Sequence, residues 1–157
     1  MSDTKESGPL DGIAVATFWS SAVAGVLLPV LSMMLAKQRS PGQVLGEFWQ
    51  SFTGAEPGLA LLTALHAAAF VAYGVFALLH LGKAPADNAP LAARRLGGAL
   101  VAGLLMVAAS LWVSVSIFAS RSSTAAIGFL FLPFYLAIAA TLGYGIGRAI
   151  AARLRYT

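Results

Sequence analysis

Four long stretches of apolar residues, separated by polar connections, organise the sequence. They run over residues 12–36, 58–82, 96–119 and 124–147, and none of them contains Asp, Glu, Lys or Arg. A helix needs about 20 mostly apolar residues to cross the hydrocarbon core of a bilayer. We therefore predict an all-α integral membrane protein, in which four transmembrane helices form an antiparallel bundle.

The connection between the first two spans contains a shorter amphipathic pattern. Within GQVLGEFWQSF the apolar residues recur at spacings that place them on one helical face. These residues are Val44, Leu45, Phe48, Trp49 and Phe52. We predict a short helix that lies in the membrane interface on the non-cytoplasmic side, with Trp49 at headgroup depth. This segment either anchors the loop or serves as a lid or partner-binding surface.

The composition supports a lipid-embedded chain. Hydrophobic residues make up 59% of the 157 residues and charged residues 10%, with a mean hydropathy of +0.81. So few charges cannot cover the surface of a soluble globule. The 10 Lys and Arg lie in connections and tails rather than in one patch, so we expect a bilayer and no nucleic acid as partner. The absence of cysteine excludes disulfides and thiolate metal sites.

The distribution of Lys and Arg predicts the orientation of the chain. Seven of them lie in the two tails and the second connection, and three lie in the other two connections. Positive residues are retained on the cytoplasmic side, so we predict cytoplasmic termini in a cell membrane of the bacterial inner-membrane type. Lys37 and Arg39 oppose this assignment. The predicted domains are a polar tail over 1–11, a transmembrane domain over 12–152 and a basic tail over 153–157.

Small residues and prolines mark special positions within the spans. Ala139, Gly143 and Gly147 repeat every four residues in the fourth span. Such a face allows two helix backbones to approach closely, either inside a four-helix bundle or between two copies of the chain. Pro29 and Pro133 lie inside the first and fourth spans. Proline removes one backbone hydrogen bond, so we predict a kink at each.

The second span carries polar residues along one side. They are Thr63, His66, Tyr73 and His80. An ionisable residue within a membrane span is a candidate for function. In one interpretation the neutral histidines only bond to a neighbouring helix, for which Ser110, Ser114 and Ser116 are available. In another, His66 takes part in proton or solute movement, because imidazole titrates near neutral pH.

A third interpretation of this side concerns the spacing of its histidines. His66 and His80 form the pattern H-x13-H on one helix, which resembles the spacing with which diheme cytochrome b proteins hold two hemes across a bilayer. The resemblance implies a heme-binding electron carrier with four histidines on two helices. This chain has two histidines, so a homodimer, or methionines such as Met33, Met34 or Met106, would have to complete the ligands.

Nothing else in the sequence indicates a reaction. No spacing selects a Ser-His-acid arrangement, and the spans lack a carboxylate. We therefore expect no enzymatic activity and no cofactor. We expect a small non-catalytic membrane protein that acts through helix packing and partner binding, as an accessory subunit, a scaffold or a toxin-protective protein. Its partner would be another membrane protein or a second copy. The alternative is a small transporter or channel that uses the polar side of the second span.

Overall fold

A computed structural model of the protein describes residues 10–54, 58–84, 88–120 and 125–154. Within these residues the regular structure is wholly helical. The helices are α1 (Asp11–Lys37), α2 (Pro41–Thr53), α3 (Gly58–Leu81), α4 (Ala89–Ala119) and α5 (Ala125–Arg153).

Four of the helices are long and apolar enough to cross a membrane. The qualifying segments are Asp11–Lys37, Thr63–Leu81, Ala89–Ala119 and Ile127–Arg153. The prediction of an all-helical chain with four such helices is therefore confirmed. Large apolar side chains cover their outward faces, as at Trp112 of α4, and such a surface is suited to lipid rather than water.

Two of these helices extend beyond the predicted spans. Helix α4 begins at Ala89 instead of residue 96, and α5 continues to Arg153 instead of ending at residue 147. Hydropathy marks the part of a helix that suits hydrocarbon, whereas backbone hydrogen bonding continues into the interface. The start of α4 is fixed locally, because the Asn88 side chain accepts a hydrogen bond from the Leu91 amide at 3.0 Å.

The predicted tails fall mostly outside the described residues. Helix α1 begins at Asp11, inside the range assigned to the N-terminal tail, and residues 1–9 are not described. Helix α5 ends at Arg153, and residues 155–157 are not described either. Residues 121–124, which connect the last two spans, likewise lie outside the described residues.

Helices α1 and α3 pack closely where α1 has a glycine. A Cβ placed on Gly25 would lie 3.0 Å from the Cα of Ala67 and the Cβ of Phe70. Such a contact is tighter than most Cβ contacts, so a larger residue here would require α3 to shift by a few tenths of an ångström. The helix continues through Pro29, four residues further on, so this proline does not end α1.

The small-residue face of α5 is used inside the protein. A Cβ on Gly143 would lie 2.7 Å from the Cα of Ala102, and one on Gly147 would collide with the Gly97 carbonyl of α4. Ala139, one turn earlier, lines a surface groove between the same two helices. The two glycines are therefore covered by α4.

A core cluster joins all four span helices. Its buried members are Leu28 of α1, Phe70 and Tyr73 of α3, Ala102 and Met106 of α4, and Phe129, Leu132 and Leu136 of α5. Pro133 lies beside this cluster, and α5 continues through it. The kinks at both prolines stay predictions.

Candidate functional site

The polar residues of α3 face its neighbouring helices. Thr63, His66 and Tyr73 are buried and His80 is half-buried. The Tyr73 hydroxyl donates a hydrogen bond to the Ala99 carbonyl of α4. The two histidines contact different helices, so they form two separate sites.

His66 lies in a closed site between α3 and α4. Its Nε2 is 2.9 Å from the Ser110 hydroxyl, and its ring stacks on Phe70 with 5.3 Å between the centroids. Ser110 is therefore the partner among the three serines that the sequence offers. Ser114, one helical turn further along α4, is fully buried. Within the described residues neither its hydroxyl nor the His66 Nδ1 has a hydrogen-bond partner.

The surroundings of His66 do not fit a heme ligand. Its side chain is 1% exposed and its ring stacks on Phe70, so the ring has no open space beside it for a porphyrin. The Nε2 atoms of His66 and His80 are both engaged by hydroxyl groups, of Ser110 and Tyr144. The described part of the chain also contains no group of three or more His, Asp or Glu placed to hold a metal ion.

His80 lies where α3 ends, among basic side chains. Its Nε2 shares a hydrogen bond with the Tyr144 hydroxyl of α5. Arg95 of α4 donates from Nη1 to the His80 carbonyl at 3.1 Å and to the Lys83 carbonyl at 2.7 Å. The His80 carbonyl is among those that the end of a helix leaves without an internal partner, and Lys83 lies just beyond the end of α3. The Arg148 guanidinium lies 5.7 Å from the centroid of the Tyr144 ring, where a cation–π contact forms.

A groove of about 620 Å³ begins at this site and runs between α3 and α5. The buried residues Ala102 and Met106 of α4 form its floor. Its walls consist largely of small residues: Ala69 and Ala72 of α3, and Ala137 and Ala140 of α5. The absence of larger side chains at these positions leaves the space between the two helices open.

The polar side chains of this groove that do not bond to a backbone carbonyl lie at one end, and two of them, His80 and Tyr144, bond to each other. His80, Tyr144 and Arg148 line that end. Two further polar residues line the groove, but their hydroxyls are bonded to backbone carbonyls, Tyr73 to Ala99 and Thr141 to Ala137. The groove therefore combines an apolar channel with a basic end.

Helix α2 has one side packed on the protein and one side exposed. Val44 is fully buried and Phe48 is half-buried. Leu45, Trp49 and Phe52 are exposed, Trp49 to 71%. A helix is present where it was predicted, but the five apolar residues do not form one uniform face, because Val44 is buried and Leu45, Trp49 and Phe52 are exposed.

Local interactions fix the position of α2. Ser40 and Gln43 form a reciprocal capping box at its start. Glu47 forms ion pairs with Lys37, at 3.7 Å, and with Arg39. The two basic residues that oppose the predicted orientation are therefore partly neutralised by a carboxylate on α2.

The sequence analysis missed Tyr144, Arg148 and Arg95. Tyr144 and Arg148 are four residues apart and project from the same side of α5, which was the available signal. Their relation to His80 depends on how α5 packs beside α3, and no spacing within the sequence reveals it.

Comparisons with protein-family models, with characterised proteins and with solved structures found no match to this chain.

Proposed function

We propose that the protein is a non-catalytic multi-pass membrane protein that acts by binding a partner within the membrane. Its four span helices form an antiparallel bundle in a membrane of the bacterial inner-membrane type, with both termini cytoplasmic. The order of contacts supports the antiparallel arrangement, because Gly25 meets Ala67 whereas Phe18 meets Gly74. The unequal distribution of Lys and Arg supports the orientation.

The observation that carries the proposal is the exposed face of α2. Leu45, Trp49 and Phe52 are exposed, while Val44 is fully buried against the protein. The helix lies in the interface on the non-cytoplasmic side, where aromatic residues are favoured. Aromatic residues also supply much of the binding energy at protein interfaces. We assign this face to binding another membrane protein or a second copy of the chain.

The polar side of α3 supports binding more than transport. Tyr73, His66 and His80 each bond to a neighbouring helix, so these side chains hold helices together. A pore or transport path requires polar groups that several helices offer to one open axis. Gly143 and Gly147 of α5 give no alternative partner surface, because α4 covers them.

Site-specific photocrosslinking tests this assignment. A photoreactive amino acid replaces Trp49 in intact membranes, and a matched variant replaces Trp112, which is similarly exposed at 76% but lies on α4. We expect one discrete protein adduct from position 49 and none from position 112. An adduct of twice the chain mass identifies a second copy.

A lipid-only product at position 49, or the same adducts at both positions, would contradict the proposal. The substitution F52A on the same face should reduce the yield of the adduct at position 49.

A further inference from the structure

The groove between α3 and α5 shares no lining residue with the proposed partner surface on α2. It has an apolar floor and walls, and His80, Tyr144 and the exposed Arg148 line one end. Its volume of about 620 Å³ lies within the range typical of sites for small ligands. The groove therefore suits an elongated apolar molecule with one polar head.

The length of the groove matches the depth of one bilayer leaflet. Along α3 the lining runs from Ala69 to His80, a rise of about 16 Å at 1.5 Å per residue. One leaflet contributes about half of a hydrocarbon core of about 30 Å. An acyl chain that lies in the groove would therefore reach from the interface to the middle of the membrane.

The charges at the His80 end favour an anion. Arg148 is exposed and lines the groove, while Arg95 and Lys83 lie at the adjoining end of α3. Asp11 of α1 is a described carboxylate close to this end. Its Oδ1 would lie 3.4 Å from a Cβ placed on Gly82, and neither Asp11 nor Gly82 lines the groove. Among the described residues, a phosphate at the open end would therefore meet basic groups without a competing acid on the groove wall.

We propose that this groove binds one anionic phospholipid from the leaflet at the His80 end. Arg148 holds the phosphate through charge-assisted hydrogen bonds. One acyl chain lies on Ala102 and Met106 between the alanine-rich walls. The inference rests on the membrane placement proposed above, but it does not depend on a partner at α2.

Native mass spectrometry of the purified chain tests the headgroup contact. The protein is titrated with phosphatidylglycerol or phosphatidylcholine of identical acyl chains. We expect wild type to retain more phosphatidylglycerol, and R148Q to lower that binding about fivefold without changing phosphatidylcholine binding. The control R153Q removes an exposed arginine that does not line the groove and should leave both titrations unchanged.

A second pair of variants tests the acyl-chain contact. Ala137 is exposed on the groove wall, so A137W fills the groove with little disturbance of the core. Val26 is exposed on α1 outside the groove, which makes V26W the matched control. We expect A137W to lose the bound lipid and V26W to retain it.

Three results would each overturn the inference. The first is equal retention of the two lipids by wild type, and the second is the same loss in R148Q and R153Q. The third is a second copy of the chain bound in place of lipid and displaced by A137W. Flotation with phosphatidylcholine vesicles after an alkaline wash tests the membrane placement separately. A failure of the lipid-binding inference can therefore be distinguished from a failure of the proposed membrane placement.

Discussion

The two histidines of α3 share one side of a helix but lie in opposite surroundings. His66 is enclosed by Ser110 and Phe70, away from any opening. His80 is half-buried beside Tyr144 and lines an open groove with basic residues nearby. Both side chains thus bond to a neighbouring helix, but only the His80 side chain also lines a groove.

The cost of leaving a polar group unpaired explains this difference. The free-energy cost of an imidazole without a hydrogen-bond partner is larger in a water-free interior than where the ring reaches water or lipid headgroups. His66 therefore needs the Ser110 hydroxyl, whereas the surroundings of His80 are free to include a ligand. The comparison predicts that changes at the His66 end affect stability more than equivalent changes at the His80 end.

The largest expected effect is that of H66A. It leaves a cavity in a fully packed site and removes the partner of Ser110, so we expect a loss of about 3 kcal/mol in the free energy of unfolding. H80A should lose about 1 kcal/mol, because the groove already provides open space next to the side chain. Unfolding in mixed micelles, followed by circular dichroism, measures both. Equal losses in H66A and H80A would contradict the difference between an enclosed His66 and a His80 that lines an open groove.

Substitution of two serines of α4 should change the free energy of unfolding by smaller amounts and in different directions. S110A removes the partner of His66 Nε2, and we expect a loss of about 1 kcal/mol in the free energy of unfolding. S114A removes a buried hydroxyl that has no hydrogen-bond partner within the described residues. We therefore expect S114A to leave stability unchanged or to raise it. The same unfolding measurement applies, and a larger loss in S114A than in S110A would contradict the assignment of Ser110.

The smallest effect concerns the basic end. R95A removes the hydrogen bonds to the His80 and Lys83 carbonyls, so we expect a loss of about 0.5–1 kcal/mol in the free energy of unfolding. R153A is the control, because Arg153 is exposed at the end of α5. Hydrogen exchange at residues 78–84 should increase in R95A and remain as in wild type in R153A. Unchanged exchange in R95A would show that Arg95 does not hold this end of α3.

Patterns that repeat along a helix were predictable from the sequence. The four spans follow from apolar length, and the α2 face follows from the spacing of Val44, Phe48 and their neighbours. Both depend on periodicity within one helix, which the sequence records directly. The extra turns at the start of α4 were missed because Arg94 and Arg95 end the apolar run although the helix includes them.

Relations between helices were not predictable in the same way. The sequence offered three serines to His66, and only the rotation and depth of α4 beside α3 select Ser110. Tyr144 is 64 positions from His80, and the bond between them depends on the packing of α5. The α5 glycines showed where a close approach would occur, but not that α4, rather than a second copy, makes it.

Because α4 is longer than the hydrocarbon core is thick, the position of the basic end of the protein depends on the thickness of the membrane. Its 31 residues extend over about 46 Å, whereas the hydrocarbon core measures about 30 Å. The excess is accommodated by tilt or by protrusion of the first turns, which carry Arg94 and Arg95. A thinner bilayer therefore favours a more tilted α4 and a thicker one a more upright α4. Because Arg95 is bonded to the end of α3, such a tilt also moves the mouth of the groove.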